Sequence, residues 1–157
     1  MPALRGVDLV VPEGELVAVM GPSGCGKSTL LHILGGLTAP TSGQVCVDGN
    51  DFSKMSDVER TRFRRHKIGF VFQHFNLLPT LTARQNIALA LDIQGNGFGF
   101  NPRRFEAIVQ TLGIKEKLNR RPNFLSGGEQ QRVALARAVS CETKILRATP
   151  AIGSPAG

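Results

Sequence analysis

Apolar and polar positions alternate with turn signals along this chain in a way that predicts strands and helices in succession. Residues 4–11 and 15–20 read as strands joined by the tight connection Pro12-Glu13-Gly14, the second of them apolar enough for a buried position. After a glycine-rich stretch, Ser28-Thr29-Leu30-Leu31-His32-Ile33-Leu34 carries a helical pattern. The turn signal Pro40-Thr41-Ser42-Gly43 precedes a strand, Gln44-Val45-Cys46-Val47-Asp48. Ser56 followed by Glu59 is a capping box for a basic helix, and Lys67-Ile68-Gly69-Phe70-Val71-Phe72-Gln73 is a short apolar strand ending in a polar residue. Beyond the loop His74-Phe75-Asn76-Leu77-Leu78-Pro79 the pattern turns helical. Thr82 and Gln85 cap a helix over 83–91, and Pro102 suits the first turn of one reaching about Leu112.

Gly95-Asn96-Gly97-Phe98-Gly99-Phe100 follows a helix and does not fit the dinucleotide fingerprint, so it reads as a loop. Ser126 and Glu129 form another capping box, which starts a helix near Gly127 that runs through Ala138. Lys144-Ile145-Leu146 begins a last apolar strand, which Arg147 and Pro150 are expected to damage: a buried Arg is costly and a Pro removes a ladder hydrogen bond. Strands alternating with helices, plus the early strand pair, predict an α/β core with an antiparallel side sheet. No internal repeat or heptad run is present.

The chemistry begins at Gly21-Pro22-Ser23-Gly24-Cys25-Gly26-Lys27-Ser28-Thr29, which fits G-x-x-x-x-G-K-[ST] between a predicted strand and a predicted helix. Glycines let backbone N–H groups face phosphate oxygens, and the helix start adds its positive dipole end. Lys27 would reach the β and γ phosphates of a nucleotide. The Ser28 hydroxyl would complete an Mg²⁺ shell built otherwise of phosphate oxygens and water. Thr29 faces phosphate or caps locally, and Cys25, at a variable position, reads as a small filler. An ordinary Gly-rich strand-to-helix turn would explain the glycines but not all the fixed letters in this context.

Leu125-Ser126-Gly127-Gly128-Glu129-Gln130-Gln131-Arg132 resembles the signature of ATP-binding cassette (ABC) ATPases, and its pairing with an upstream phosphate loop is highly specific. The strand and loop around Gln73 are similar to that family's Q-loop. The wording of Val71-Phe72-Gln73-His74-Phe75-Asn76-Leu77-Leu78-Pro79 and Arg121-Pro122-Asn123-Phe124-Leu125-Ser126 is similar to the exporter branch that serves lipoprotein release and macrolide efflux.

The resemblance covers roughly residues 4–146. It implies an α/β P-loop NTPase core with an antiparallel β side sheet and a helical subdomain at about 82–121. It places a partial ABC ATP-binding domain at 1–146 and an irregular tail at 147–157. It also implies ATP and Mg²⁺ as ligands, with residues 21–29 cradling phosphate and Lys27 and Gln73 in catalytic roles. Ser28 and Gln73 would lie at Mg²⁺, and Ser126, Gly127, Gly128 and Glu129 would meet the nucleotide bound by a second copy. The implied function is the ATP-binding subunit of an exporter, working through a separate membrane permease touched by the Gln73 loop.

The sequence departs from the family pattern near its end. Hydrolysis at a phosphate loop needs carboxylates to hold Mg²⁺ and polarise water. The family's Asp-Glu pair falls where this chain has Thr149-Pro150, and no Asp or Glu follows Glu142. No histidine follows His74, so the family's switch histidine is missing too. The chain has no Tyr or Trp, and the family's adenine-stacking aromatic would fall before residue 1. Residues 147–157 lack a hydrophobic period, as a frameshift or truncated gene model would produce. The expectation for the chain as written is nucleotide binding with little turnover. The alternative is a non-catalytic nucleotide-binding fragment or regulatory module. A third class, soluble ABC ATPases of DNA repair or translation, usually shows long heptads, zinc-binding cysteine pairs or two cassettes, none of which is seen here.

Composition narrows the setting. At 157 residues the chain is one domain's worth, and no stretch approaches the roughly 18 apolar residues of a membrane span. No signal-peptide pattern opens it, which points to a cytoplasmic protein, peripheral at the inner membrane face through its permease. Cys25, Cys46 and Cys141 lack metal-ligand spacing and fit free thiols in a reducing compartment. The net charge of +7 includes the cluster Arg60, Arg62, Arg64, Arg65 and Lys67 on a predicted helix. Neither an aromatic stacking platform nor a nucleic-acid module accompanies it, so nucleic acid is not an expected partner. The cluster reads as a solvated face, with anionic lipid head groups the better functional guess.

Overall fold

The computed structural model describes residues 3–71, 75–94, 101–140 and 145–148. It divides into two units, Met1–Arg60 and Thr61–Gly157.

In the first unit, helix α1 (Lys27–Leu34) starts at Gly26 and ends in a Schellman motif. The Leu37 N–H donates to the His32 carbonyl at 2.8 Å and the Gly36 N–H to the Ile33 carbonyl at 2.9 Å. Gly36 sits at φ 65° with the Phe52 ring 3.1 Å from where a Cβ would lie, so both conformation and space demand glycine there. Strands β1 (Cys46–Val47) and β2 (Asn50–Asp51) pair antiparallel, with Val47 opposite Asn50. Their two-residue turn, Asp48-Gly49, has positive φ at both positions (48° and 74°), the primed geometry that matches strand twist.

The expected strands at 4–11 and 15–20 are not formed. The tight connection is present, since the Glu15 N–H donates to the Pro12 carbonyl at 3.3 Å. Among the described residues, however, these segments have no ladder partner, and Val10, Leu16 and Met20 are exposed. Apolar alternation alone does not make a strand, because its hydrogen bonds must come from a neighbour. The antiparallel side sheet is instead the β1–β2 pair.

Helix α2 (Asp57–Lys67) begins at the expected capping box: the Ser56 N–H donates to Glu59 Oε2 at 2.8 Å and the Glu59 N–H to Ser56 Oγ at 3.3 Å. Several of its basic residues have partners, two within the helix and one, Arg65, at the distant Ile93. Arg60 pairs with Asp57, Arg64 donates to Thr61 Oγ1 and Arg65 to the Ile93 carbonyl, as a solvated helix face would.

The second unit places strand β3 (Ile68–Val71) parallel to β4 (Ile145–Ala148), with Ile68 opposite Ile145 and Val71 opposite Ala148. The last strand therefore runs through Arg147, contrary to the expectation that this residue would spoil it. Ladder bonds are made by the backbone, so an Arg can occupy a strand position opposite Phe70.

Helices α3 (Ala83–Gln94), α4 (Pro102–Thr111) and α5 (Gly127–Ser140) complete this unit. The Thr82–Gln85 box starts α3, with bonds of 2.9 and 3.3 Å, and Asn101 Oδ1 caps α4 by accepting from the Arg104 N–H at 3.1 Å. The starts of both helices follow the sequence reading, with the Asn101 cap added by the structure and α3 extending a turn further than expected.

One core joins Ile87 of α3, Phe105 and Val109 of α4, and Val133 and Ala136 of α5, closed by Ile114, Leu118 and Leu125. Each large aliphatic buried there contributes about 1.5–3 kcal/mol. On another face of α5, Ala134 and Ala138 pack against Val71 of β3. Small residues there let helix and strand approach closely. Among the described residues no helix is long and apolar enough to cross a membrane.

Candidate functional site

The loop 21–29 lies in the first unit and its geometry follows from its glycines. Gly26 is the N-cap of α1 at φ 94°, ψ 1°, and supplies no capping side chain. The N–H groups of Lys27, Ser28 and Thr29 therefore start the helix without an intrahelical partner, and no acidic residue lies in the first turn to compete for them. A Cβ on Gly26 would stand 2.6 Å from the Ala3 carbonyl oxygen and 2.9 Å from Leu4 Cδ2, so the cradle tolerates only glycine.

Lys27 Nζ turns back over the loop. It donates to the carbonyls of Gly21 and Pro22, both at 2.6 Å, and approaches Cys25 Sγ at 3.6 Å. The cation is thus already held above the loop by exposed neutral acceptors, two carbonyls and a thiol sulfur, which a phosphate can replace. Cys25 is an exposed free thiol, as is Cys46. Cys141 lies outside the described residues.

Phosphate fits this loop by its chemistry, which combines backbone donors, one ammonium and the hydroxyls of Ser28 and Thr29. Among the described residues no cluster of three or more His, Cys, Asp or Glu is arranged for a metal. The donor available to Mg²⁺ here is the Ser28 hydroxyl beside the phosphates themselves, a set that suits an ion keeping most of its shell from phosphate and water.

The signature octet lies in the second unit and opens α5. The Ser126 N–H donates to Glu129 Oε2 at 2.8 Å, and the Glu129 N–H to Ser126 Oγ at 3.3 Å, completing the expected box. The other carboxylate oxygen, Oε1, lies 2.9 Å from Lys117 Nζ. The Lys117 ammonium, with the Ser126 N–H beside it, holds the Glu129 carboxyl down at about 2. Gly127 and Gly128 are exposed, with the Arg132 guanidinium 3.6 Å from where a Gly128 Cβ would lie. The Gln130 amide donates to the carbonyls of Pro122 and Leu125, each at 3.1 Å, and so fixes the turn that leads into the helix.

Gln73 lies outside the described residues, as do His74 and the predicted loop at 95–100. Just after them, Phe75 and Asn76 adopt left-handed backbone, at φ 59° and 46°. Arg137 of α5 donates from Nη2 to the Phe75 carbonyl at 2.8 Å and from Nη1 to the Asn76 carbonyl at 2.6 Å. Sequence reading missed both Lys117 and Arg137, because each acts on a distant partner and belongs to no local pattern.

Comparison with known proteins gives a consistent picture. The chain matches the ABC transporter family over residues 4–148. It is 46% identical over 154 residues to the lipoprotein-releasing system ATP-binding protein LolD 2 of Caulobacter vibrioides, covering 98% of this chain and 68% of that one. It is 48% identical over 139 residues to the macrolide export ATP-binding/permease protein MacB of Marinobacter nauticus, covering 88% of this chain and 22% of that one. The dimeric ABC transporter cassette MJ0796 of Methanocaldococcus jannaschii superposes with a TM-score of 0.83 at 45% identity, over 93% of this chain and 65% of that one. A post-hydrolysis structure of that cassette bound to ADP and Pi gives the same TM-score at 43% identity, over 97% of this chain and 68% of that one. The chain thus spans about two thirds of the length of its single-cassette relatives. With the phosphate loop and signature in family order, and a match from residue 4 to residue 148, this chain belongs to the ABC transporter family and has its α/β P-loop NTPase cassette fold.

Proposed function

We propose that this chain is the ATP-binding subunit of an ABC exporter. The observation that carries the reading is the start of α1: an uncapped helix end beneath a glycine loop, with Lys27 held over it by the Gly21 and Pro22 carbonyls and the Cys25 sulfur. ATP would bring its phosphates to the N–H groups of this loop, and Lys27 would exchange the Gly21 and Pro22 carbonyls for β and γ phosphate oxygens. Residues Gly21, Pro22, Ser23, Gly24, Cys25, Gly26, Lys27, Ser28 and Thr29 form the cradle. Ser28 and Gln73 would hold Mg²⁺, which when bound supplies neutralising charge to the β and γ phosphates.

A second copy would close over the nucleotide with Ser126, Gly127, Gly128 and Glu129, in a pair of the kind implied by the dimeric structure of MJ0796. Closing and opening of that pair would work a membrane permease through the loop after Gln73, at the cytoplasmic face. LolD 2 and MacB, by name a lipoprotein-releasing system ATP-binding protein and a macrolide export ATP-binding/permease protein, support export as the direction of work.

The test is sedimentation of the purified chain with ATP and Mg²⁺. Pairing should appear with nucleotide and be lost in both Lys27→Ala and Ser126→Arg. A wild-type chain that binds ATP yet stays monomeric at saturation would contradict the role of the signature.

A further inference from the structure

A helix start meant to face phosphate is a poor place for a carboxylate, because the negative charge opposes the ligand that the helix dipole attracts. Helix α5 nonetheless carries Glu129 in its first turn, three residues after Ser126. The surroundings of this carboxylate resolve the conflict. Its Oε2 accepts the Ser126 N–H at 2.8 Å and its Oε1 meets Lys117 Nζ at 2.9 Å, so each oxygen has a fixed donor. The carboxylate side chain is 16% exposed and the lysine 32%, so the pair is shielded more than a surface ion pair.

Lys117 sits in a short 3-10 turn, Lys115–Lys117, that belongs to no nucleotide motif. Its neighbour Lys115 faces elsewhere and pairs with Glu106 at 2.7 Å. Leu118, next along the chain, is buried in the core of this unit and its carbonyl accepts the Arg84 N–H at 2.9 Å. The backbone that carries Lys117 is therefore anchored to α3. The turn following it runs through Pro122 to Leu125, whose carbonyls are held by Gln130 of α5. The lysine and the signature helix are fixed to one frame.

We infer that Lys117 is a positioning residue for the signature: it locks the Glu129 carboxylate onto the Ser126 N–H and cancels its charge, so the exposed Gly127-Gly128 helix start remains attractive to phosphate. This deepens the proposed function, since it rests on a nucleotide meeting the signature. The charged groups around the carboxylate are Lys117 from the preceding turn and Arg132 one turn along α5, the latter near Gly128.

The experiment is a ¹³C NMR titration of Glu129 in the wild type, Lys117→Met and Lys117→Arg, paired with ATP-driven sedimentation of the same proteins. The titration needs no nucleotide, so it separates this inference from the reading on which it rests. In the wild type the carboxyl should titrate near 2. In Lys117→Met it should rise toward the ordinary glutamate value of 4.5, and Lys117→Arg should restore the low value. Hydrogen exchange at the Ser126 N–H should quicken at least about tenfold in the methionine variant alone, the equivalent of weakening one charge-assisted bond. ATP-driven pairing should weaken in Lys117→Met and recover in Lys117→Arg. A wild-type Glu129 that titrates in the ordinary range, or one that Lys117→Met leaves unmoved, would overturn the assignment. Titrations as predicted, with no ATP-driven pairing in any protein, would support the lock and count against the in-trans reading alone.

Discussion

Arg137 reaches from the signature helix to Asn76, donating to its carbonyl at 2.6 Å while a second nitrogen holds the Phe75 carbonyl at 2.8 Å. Two successive left-handed residues are thus pinned just beyond Gln73 by a guanidinium that is itself half-buried. Non-glycine residues in that conformation carry a backbone cost that the fork offsets. The helix that opens with the signature and the loop that follows Gln73 are in this way one mechanical piece. Arg137→Met should lower stability by about 1–3 kcal/mol in urea unfolding, since it strands the part-buried Phe75 carbonyl and removes charge-assisted bonds. Arg137→Lys should recover only part, because an ammonium lacks the planar fork. Equal stability of all three proteins would show that the contact does not hold the loop.

Asn86 does a similar task without charge. It is fully buried, its Oδ1 accepts the Leu78 N–H at 2.7 Å, and its Nδ2 lies 3.0 to 3.2 Å from the carbonyls of Leu78, Leu81 and Thr82. Replacement by alanine should cost about 2–3 kcal/mol, because the loop groups lose their partner in a dry site. Thermal unfolding of Asn86→Ala checks this, and a change under about 0.5 kcal/mol would mean that water replaces the side chain.

The carboxyl of Glu129 gives a pH dependence with a defined sign. Its folded value, about 2, lies below the ordinary 4.5, so its contribution to stability is complete above 4.5 and is lost as pH falls through about 2. Lys115 lowers Glu106 as well, with the same sign. Acid titration of the unfolding free energy should therefore slope downward in this range. Lys117→Met should flatten that slope and Lys117→Arg should preserve it.

The helix starts were legible in the sequence because capping is local. Ser56 with Glu59, Thr82 with Gln85, and Ser126 with Glu129 each close their bonds within three residues, and Pro102 marks the first turn of α4. The phosphate loop was legible for the same reason. Strands were harder, since a ladder depends on residues far along the chain. Residues 4–11 and 15–20 have strand composition and no ladder partner among the described residues, whereas β4 pairs with β3 across 77 positions of register (Ile68 with Ile145) despite its arginine. The short β1–β2 hairpin could have been found from Asp48-Gly49, a strong two-residue turn signal that the strand reading of 44–48 overran. The partners of Lys117, Arg137 and Asn86 become visible only once the chain has folded.

Gly26 offers a test of the cradle that leaves its charge alone. Gly26→Ala would place a methyl against the Ala3 carbonyl in a backbone conformation of φ 94° that costs alanine about 1–2 kcal/mol. Nucleotide affinity should fall at least tenfold while Lys27 remains in place. Affinity equal to wild type would show that the helix start is not the anion site.

The most direct measurement is isothermal titration of ATP with Mg²⁺ into the wild-type chain and into Lys27→Ala. Saturable binding at one site per chain in the wild type, weakened by about a hundredfold or more in the variant, is the predicted result for a lost ammonium–phosphate contact of roughly 3 kcal/mol. The same affinity in both proteins would contradict the assignment of residues 21–29 as the nucleotide cradle.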